Sequence, residues 1–222
     1  MLEHMNVALQ GSLFDTGTDS TDDTGAAGTP AVRQLDGLRR TDLGDGAWVD
    51  VLPGWVTGAH ALFDVLAAEV PWRAERRRMY DRTVDVPRLL SFYDEHHPLP
   101  HPVLTTARDR LSRHYEAELG EPFRTAGLCF YRNGNDSVAW HGDTIGRGKA
   151  EDTMVAILSV GEARPLLLRP RGGGPTVRYG LGHGDLIVMG GSCQRTWEHA
   201  IPKSSQAVGP RISIQFRPRG VL

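Results

Sequence analysis

Three residues of this chain have types and spacing that suit a metal ion. His141 and Asp143 are separated by one residue in the stretch 137–143, which is predicted to be a strand, so both side chains would face the same way. His199 would join them from a distant strand. Two imidazoles and one carboxylate form a facial set that suits Fe(II) and leaves coordination positions open. The same nitrogen and oxygen ligands would also accept manganese, cobalt or nickel.

The strand predicted over Arg211–Arg217 has one polar and one apolar face. The polar positions are Arg211, Ser213, Gln215 and Arg217. An edge strand with its polar face in water would show the same alternation. Next to the predicted metal ligands, the polar face can instead line the mouth of a barrel. An arginine there would pair with a carboxylate of an anionic co-substrate.

A second His-x-Asp set, His183-Gly-Asp185, competes with the first as a metal pair. Only 14 residues, about one strand and one turn, separate Asp185 from His199. The distal ligand of a jelly roll comes from a strand several connections further on. We therefore predict a structural role for His183 and Asp185, in a turn that leads into the strand Leu186–Met189.

Composition indicates one β-rich domain with a substantial core. The 222 residues include 26 Gly and 14 Pro, which favour many turns. Cys129 and Cys193 are too few and too isolated for a disulfide framework or a zinc site. The sequence has neither an apolar run near the ~20 residues that span a bilayer nor a signal-peptide pattern. We expect a cytoplasmic protein.

Residues 1–32 are expected to be a cloning scar, Met1–Met5, followed by a flexible tail that is poor in large apolar side chains. Within the tail, Gln10, Leu13 and Phe14 resemble the short peptide with which bacterial DNA enzymes bind the replication sliding clamp. Docking of the tail on the protein's own core remains an alternative. Residues 33–222 are predicted to form a single domain, with helices and a substrate-recognition lid over 33–126 and a jelly-roll core over 127–222.

The predicted fold is mainly β (α+β). Helices are predicted over 58–69 and 102–119, and a short strand over Ala47–Val51. Eight further strands are predicted after residue 127: Leu128–Arg132, Ser137–Asp143, Thr153–Val160, Pro165–Arg169, Thr176–Tyr179, Asp185–Met189, Thr196–Ile201 and Arg211–Arg217. Many short strands after two helices indicate an antiparallel jelly roll, a double-stranded β-helix, with the helices packed on one sheet.

Arginines cluster locally although the whole chain has a net charge of -2, far from that of an obligate nucleic-acid binder. The cluster comprises Arg73, Arg76, Arg77, Arg78, Arg82 and Arg88. A solvated helix face and a rim that contacts phosphates are both compatible with it. Aromatic residues near the cluster could stack a base or pack in the core: Trp72, Tyr80, Phe92 and Tyr93.

Taken in order, these motifs resemble the AlkB-type Fe(II)- and 2-oxoglutarate-dependent dioxygenases of bacterial alkylation repair. The resemblance covers about residues 80–218. It rests on Val86-Pro-Arg88, Tyr131, His141-x-Asp143, His183-Gly-Asp185, Trp197-x-His199-x-x-Pro202 and the Arg211/Arg217 pair. It implies a jelly roll with an N-terminal nucleotide-recognition region, working as a monomer.

The resemblance also implies roles for individual residues. His141, Asp143 and His199 would bind iron. Tyr131 and Arg211 would hold the distal carboxylate of 2-oxoglutarate, Ser213 would replace a family asparagine as a shorter donor, and Arg217 would orient Asp143. His141 would also stack on the substrate, with Arg76 and Arg77 near its phosphates. Cys129 stands where the family has another asparagine.

The implied reaction is oxidative demethylation of an N-alkylated base in DNA or RNA, single- or double-stranded, with O2 and 2-oxoglutarate as co-substrates. The base would be flipped out of its stack, and its methyl group would leave as formaldehyde. One departure from the family concerns Ile145, which stands where an acidic residue usually contacts the exocyclic amine of the base. An alternative is therefore a dioxygenase acting on a small molecule or a protein side chain. A non-catalytic jelly-roll binding module is a remote third interpretation.

Overall fold

The computed structural model describes residues 28–79 and 82–221. Its strands, in chain order, are β1 (Ala31–Val32), β2 (Arg39–Gly44), β3 (Ala47–Leu52), β4 (Val56–Thr57), β5 (Arg73–Met79), β6 (Arg82–Tyr93), β7 (Thr125–Tyr131), β8 (Val138–His141), β9 (Val155–Gly161), β10 (Arg164–Pro170), β11 (Val177–Leu181), β12 (Asp185–Gly191), β13 (Trp197–Ile201) and β14 (Arg211–Arg217). Its helices are α1 (Ala59–Glu69), α2 (Pro102–His114), α3 (Glu116–Leu119) and α4 (Cys193–Thr196), with a 3-10 turn over Arg147–Lys149.

Two antiparallel sheets form the body of the described chain. The major sheet has the strand order β2-β3-β12-β9-β14-β7-β6-β5, and the minor sheet has the order β11-β10-β13-β8. The short strands β1 and β4 pair separately. The predicted jelly roll, with helices on one sheet, is confirmed.

The central strand β9 shows how the layers are built. Its sequence, Val-Ala-Ile-Leu-Ser-Val-Gly, is buried almost throughout because both faces of the strand are covered. Ala156 and Leu158 belong to a core shared with α1 and α2. Val155 and Ile157 alternate with them and belong to the core between the two sheets. The major sheet therefore separates a helix-side core from the interior of the jelly roll.

The eight strands predicted after residue 127 are all present, within a few residues of the expected ends. The helix predicted over 102–119 is divided at Tyr115, whose hydroxyl donates to the buried carboxylate of Asp50 at 2.8 Å. The prediction of a solvated helix face for the arginine cluster is wrong. Arg73–Met79 forms the edge strand β5, which pairs with β6 as a hairpin.

Some sequence features lie outside the described residues. They are the cloning scar and the candidate clamp-binding residues Gln10, Leu13 and Phe14, and also Tyr80. Among the described residues, the helices are all too short or too polar to cross a membrane.

Candidate metal and co-substrate site

The three predicted metal ligands meet at one end of the minor sheet. Strand β8 ends at His141, and Asp143 follows two residues later. Strand β13 runs antiparallel to β8 and places His199 opposite His141. The candidate ligand atoms of His141, Asp143 and His199 all lie within 4.8 Å of one another. The arrangement brings two imidazoles and a carboxylate onto one face, as Fe(II) requires.

The ring of His141 presents a free nitrogen to this site. Its Nδ1 lies 2.9 Å from the carbonyl oxygen of Ala139 and 3.2 Å from that of His199. Carbonyl oxygens only accept, so Nδ1 carries a proton and Nε2 is the ring nitrogen left for a metal ion. This Nε2 lies 3.7 Å from Oδ1 of Asp143, and the His141 side chain is 39% exposed. The site therefore opens to the surface at His141.

Asp143 is buried, and its carboxylate is nevertheless ionised. Burial alone would raise its pKa, but the Arg217 guanidinium and the two imidazoles hold that pKa well below its usual range. Nε of Arg217 donates to Oδ2 at 2.7 Å, which leaves Oδ1 facing His141. The backbone N–H of Asp143 donates to Oε1 of Gln194 at 2.9 Å.

His199 is buried and neutral near pH 7. Burial, followed by the neighbouring His141, lowers its pKa to about 3. A neutral imidazole has a lone pair to offer, whereas an imidazolium does not. The two rings lie with centroids 4.3 Å apart. His199 can therefore act as a ligand without first losing a proton.

A pocket beside the ligands has the features of an anion site. On strands β14 and β7, Arg211 lies opposite Tyr131. Arg211 is 1% exposed, and its Nε donates to Oγ of Ser159 at 2.8 Å. Its Nη1 is buried without an acceptor among the described residues. Burial raises the pKa of Tyr131 to about 12, so its hydroxyl stays protonated and able to donate.

A family model described as the 2OG-Fe(II) oxygenase superfamily matches residues 50–217. The chain belongs to this superfamily. It is also 32% identical over 202 residues to the alpha-ketoglutarate-dependent dioxygenase alkB homolog 3 of Homo sapiens, covering 78% of this chain and 68% of that protein. This similarity places it among the AlkB-type dioxygenases.

One further relative and one solved structure are also similar to this chain. The DNA oxidative demethylase ALKBH2 of Arabidopsis thaliana is 25% identical over 232 residues, covering 86% of this chain and 73% of that protein. A crystal structure of an oxidoreductase of the 2OG-Fe(II) oxygenase family from Burkholderia pseudomallei superposes with a TM-score of 0.52. It is 17% identical and covers 78% of this chain and 87% of that chain, so it supports the fold.

The residues of the dioxygenase fit both cofactors. The donor set of two imidazoles and one carboxylate is that of a non-haem Fe(II) site. The buried Nη1 of Arg211 needs an acceptor, and a carboxylate of 2-oxoglutarate would supply one. The other predicted contact, Ser213, lies on the same pocket wall, where its hydroxyl accepts from Nε2 of Gln215 at 2.5 Å.

Arg88 and Gln194 are site residues that sequence reasoning did not assign. Arg88 lines the pocket from β6, and its Nη1 donates to the carbonyl oxygen of Ser137 at 3.0 Å. Its buried Nε has no acceptor in the described part of the chain. The signal for Arg88 was present in the Val86-Pro-Arg88 motif. Gln194 gave no signal, since its contact with Asp143 depends on tertiary structure alone.

The aromatic candidates for base stacking are divided between the two faces of the major sheet. Phe92 lies opposite Gly127, and Gly127 lies opposite Gln215, which lines the pocket. Residues opposite each other on neighbouring strands face the same side, so the Phe92 side chain lies on the pocket face of the sheet, where it is 53% exposed. Trp72 and Tyr93 pack against the helix-side core, which was the alternative to base stacking for these aromatic residues. The Trp72 indole lies 5.2 Å from the Phe130 ring and donates to the Leu66 carbonyl oxygen at 3.1 Å.

The candidate phosphate contacts lie on the β5–β6 hairpin rather than in the pocket. Arg76 is exposed and pairs with Asp85, with 3.0 Å between Nε and Oδ1. Arg77 lies opposite Val84 in the same hairpin.

His183 and Asp185 have the scaffold contacts expected of a turn. Nδ1 of His183 accepts from the N–H of Gly161 at 2.7 Å. The two carboxylate oxygens of Asp185 accept from the N–H groups of Gly54 and Gly182, at 2.8 and 2.7 Å.

Proposed function

We propose that this dioxygenase oxidatively demethylates N-alkylated nucleobases in DNA, as a repair enzyme for alkylation damage, with RNA as a second possible polymer. The observation that carries the proposal is the continuity between the pocket and the basic hairpin. Strand β6 runs from the hairpin to the pocket, where it contributes Arg88. A nucleic acid held by its phosphates at the hairpin would have a flipped base within reach of the metal site.

The pocket residues would divide the work of holding the co-substrate. Arg211 Nη1 and the protonated hydroxyl of Tyr131 would bind the distal carboxylate of 2-oxoglutarate. Arg217 keeps Asp143 ionised and fixes one carboxylate oxygen, so the other remains directed at the metal position. Iron(II), held by the three ligands, would supply the activation of O2 that is coupled to oxidation of 2-oxoglutarate.

The atom balance of the reaction defines its products. One oxygen atom of O2 enters succinate, which forms with CO2 from 2-oxoglutarate. The other converts the N-methyl group to N-hydroxymethyl, and cleavage of the N–C bond then releases formaldehyde and leaves N–H on the base. The half-exposed ring of His141, with Phe92 on the same side of the sheet, would flank the base at the mouth of the pocket.

The hairpin is suited to phosphates because the ion pair between Arg76 and Asp85 is weak. The partners Arg76 and Asp85 have side chains 70% and 81% exposed, and exposed pairs contribute little free energy. Arg76 can therefore exchange Asp85 for a phosphate. We expect binding of oligonucleotides to weaken steeply with salt, and an Arg76→Gln variant to show a smaller salt slope.

The experiment that tests the function measures formaldehyde release from single- and double-stranded oligonucleotides carrying 1-methyladenine, 3-methylcytosine or other N-methyl bases. The reaction contains Fe(II), 2-oxoglutarate and O2, and a His141→Ala variant serves as the blank. We expect formaldehyde to be released together with succinate. Succinate without formaldehyde from every oligonucleotide would contradict the proposal and favour the second candidate below.

The second candidate, a dioxygenase of a small molecule or a protein side chain, is favoured by Ile145. This side chain is 64% exposed and follows closely after Asp143, where an acidic residue would read an exocyclic amine. An isoleucine accepts no hydrogen bond, so it cannot distinguish an amino from a carbonyl base edge. An Ile145→Glu variant should gain turnover on 3-methylcytosine over 3-methylthymine if nucleobases are the substrate. An unchanged ratio would support the second candidate.

We also propose that Gln10, Leu13 and Phe14 bind the replication sliding clamp and that the enzyme acts as a cytoplasmic monomer. The support for clamp binding is the sequence motif alone, and that for the cytoplasmic location is the composition of the sequence. Deletion of residues 10–14 should abolish pull-down of the clamp and leave turnover on short oligonucleotides unchanged. Retained pull-down would contradict the assignment.

A further inference from the structure

We propose that Gln194 is a positioning residue of the metal site that acts through the backbone of Asp143. Gln194 lies in α4, the helical turn between β12 and β13, and is 1% exposed. Its Oε1 accepts a 2.9 Å hydrogen bond from the N–H of Asp143. An amide nitrogen cannot accept from N–H, so this contact fixes the orientation of the Gln194 side chain.

Asp143 depends on this contact because of its place in the chain. Strand β8 ends at His141, so the N–H of Asp143 lies beyond the hydrogen-bonded ladder. Gln194 provides the acceptor that a neighbouring strand would otherwise supply. The carboxylate of Asp143 is held separately by Arg217. Asp143 is therefore fixed at two points, its backbone by Gln194 and one carboxylate oxygen by Arg217.

The turn α4 packs tightly on the segment that carries the ligands. A Cβ at Gly142 would lie 2.5 Å from the carbonyl oxygen of Gln194 and 2.8 Å from Nη2 of Arg171, so only glycine fits between His141 and Asp143. The same turn leads directly into β13, which carries His199. One short element thus sets the positions of two ligands, Asp143 through a side-chain contact and His199 through the chain itself.

The Gln194 side chain is not the one that stability alone would favour. Its Nε2 is buried and has no acceptor within residues 28–79 and 82–221. A buried, unsatisfied amide nitrogen is destabilising, whereas methionine has a similar length and buries no such group. In Gln194→Met the unsatisfied Nε2 disappears while the Asp143 N–H loses its acceptor. These changes offset each other, so we expect Tm to stay within about 3 °C of the parent.

The test compares three variants of the full chain by two measurements that need no substrate. Mn(II) binding is measured by calorimetry, and exchange of the Asp143 amide hydrogen is measured by NMR in the metal-free protein. We expect Gln194→Met to weaken Mn(II) binding about 10-fold, as loss of an outer contact to a metal ligand typically does. We also expect its Asp143 amide to exchange faster, and Gln194→Glu, which keeps an acceptor oxygen, to restore the protection.

Arg195→Ala is the matched control on the same turn. Its side chain forms a surface ion pair with Asp152 and should leave both measurements unchanged. The inference is overturned if Gln194→Met keeps the parent's Mn(II) affinity and Asp143 protection, or if Gln194→Glu loses protection as Gln194→Met does. If Gln194→Met does not fold, Gln194→Asn replaces it in the test. The asparagine side chain is one methylene shorter, so its amide oxygen would not reach the Asp143 N–H. The inference depends on family membership and not on the proposed substrate, so it survives a failed demethylase assay.

Discussion

The dioxygenase contains the tripeptide His-Gly-Asp twice, and the two copies have opposite uses. In the first, His141 and Asp143 lie within ligand distance of His199. In the second, His183 and Asp185 hold a turn together. The local sequence is the same in both copies. The difference between a candidate metal site and a scaffold must therefore come from the groups that surround each copy.

The contacts of the two copies explain the difference. Both oxygens of Asp185 accept backbone N–H groups, and Nδ1 of His183 accepts another. In the first copy, a backbone carbonyl oxygen instead accepts from Nδ1 of His141, so Nε2 stays free. Arg217 binds one carboxylate oxygen of Asp143, and the other oxygen remains available to a metal ion. A metal site forms where acceptor atoms remain unused and converge.

The largest expected effect separates the two aspartates by activity. Asp143→Ala should lower succinate release from 2-oxoglutarate by at least about 100-fold, since loss of a direct ligand exceeds the 10–100-fold typical of outer contacts. Asp185→Ala should keep most of the activity, because its carboxylate contacts only backbone N–H groups. Succinate release is measured with saturating Fe(II). Equal losses in the two variants would remove the distinction between site and scaffold.

Two buried arginines extend the comparison to the co-substrate pocket. Arg164 and Arg211 are each 1% exposed. Both Nη atoms of Arg164 donate to carbonyl oxygens, those of Asn133, Asp136 and Pro202, and among the described residues only its Nε lacks an acceptor. In Arg211, which lines the pocket, the atom without an acceptor is Nη1. The first arginine is engaged by the backbone and the second is available to a ligand.

We expect Arg211→Ala to raise the KM for 2-oxoglutarate roughly 30-fold, because it removes a charged hydrogen bond of about 2 kcal/mol. Arg164→Ala should leave that KM near the parent value and lower the free energy of unfolding by about 3 kcal/mol, since three hydrogen bonds are lost. Initial rates at varied 2-oxoglutarate and urea unfolding measure the two effects. An unchanged KM for Arg211→Ala would place the co-substrate elsewhere.

The second copy, His183-Gly-Asp185, is the scaffold copy, and its substitution should lower the free energy of unfolding more than the catalytic activity. Asp185→Ala leaves the N–H groups of Gly54 and Gly182 without their acceptor, and we expect the free energy of unfolding to fall by about 2 kcal/mol. Urea unfolding of the metal-free protein measures it. Asp185→Asn keeps one acceptor oxygen and should lose about half as much. A neutral result for Asp185→Ala would show that the turn is held by other contacts.

The sequence predicted the strands because they depend on short-range patterns, and the triad because the separation of its residues along the chain suits a jelly roll. Alternation of polar and apolar residues, with Gly and Pro between the runs, gave the strands after residue 127. The spacing of His141, Asp143 and His199 predicted the ligands that the structure brings together. Features that depend on long-range pairing were not predictable. Phe92 and Tyr93 are neighbours on opposite faces of β6, and only the pairing of β6 with β7 shows which one faces the pocket.

Gln194 and the arginine cluster illustrate the same limit. The contact between Gln194 and Asp143 joins the helical turn α4 to the loop after β8, so neither local sequence contains a sign of it. The charged segment Arg73–Met79 lacks the apolar alternation of a buried strand, because β5 lies at the edge of its sheet. The segment adopts a strand conformation because it pairs with the neighbouring strand β6.

The smallest expected effect concerns pH and again separates the two copies. Burial lowers the pKa of His183 below 6.5, and the neighbouring His60 lowers it further. The rings of the two histidines lie 4.1 Å apart. The charges of Asp64 and Asp185 oppose this shift without cancelling it. Below pH 6.5 the unfolded chain therefore binds a proton more readily than the native one, so native stability falls as the pH is lowered.

His183→Gln should reduce this loss, because its amide oxygen can accept from the Gly161 N–H without titrating. We expect the metal-free variant to lose less stability than the parent between pH 7 and pH 5, as measured by Tm at several pH values. The histidines of the metal site are common to both proteins, so the difference between the two curves isolates His183. Parallel curves would mean that His183 binds its proton equally in the native and unfolded states, and the scaffold copy would then contribute hydrogen bonds but no pH dependence.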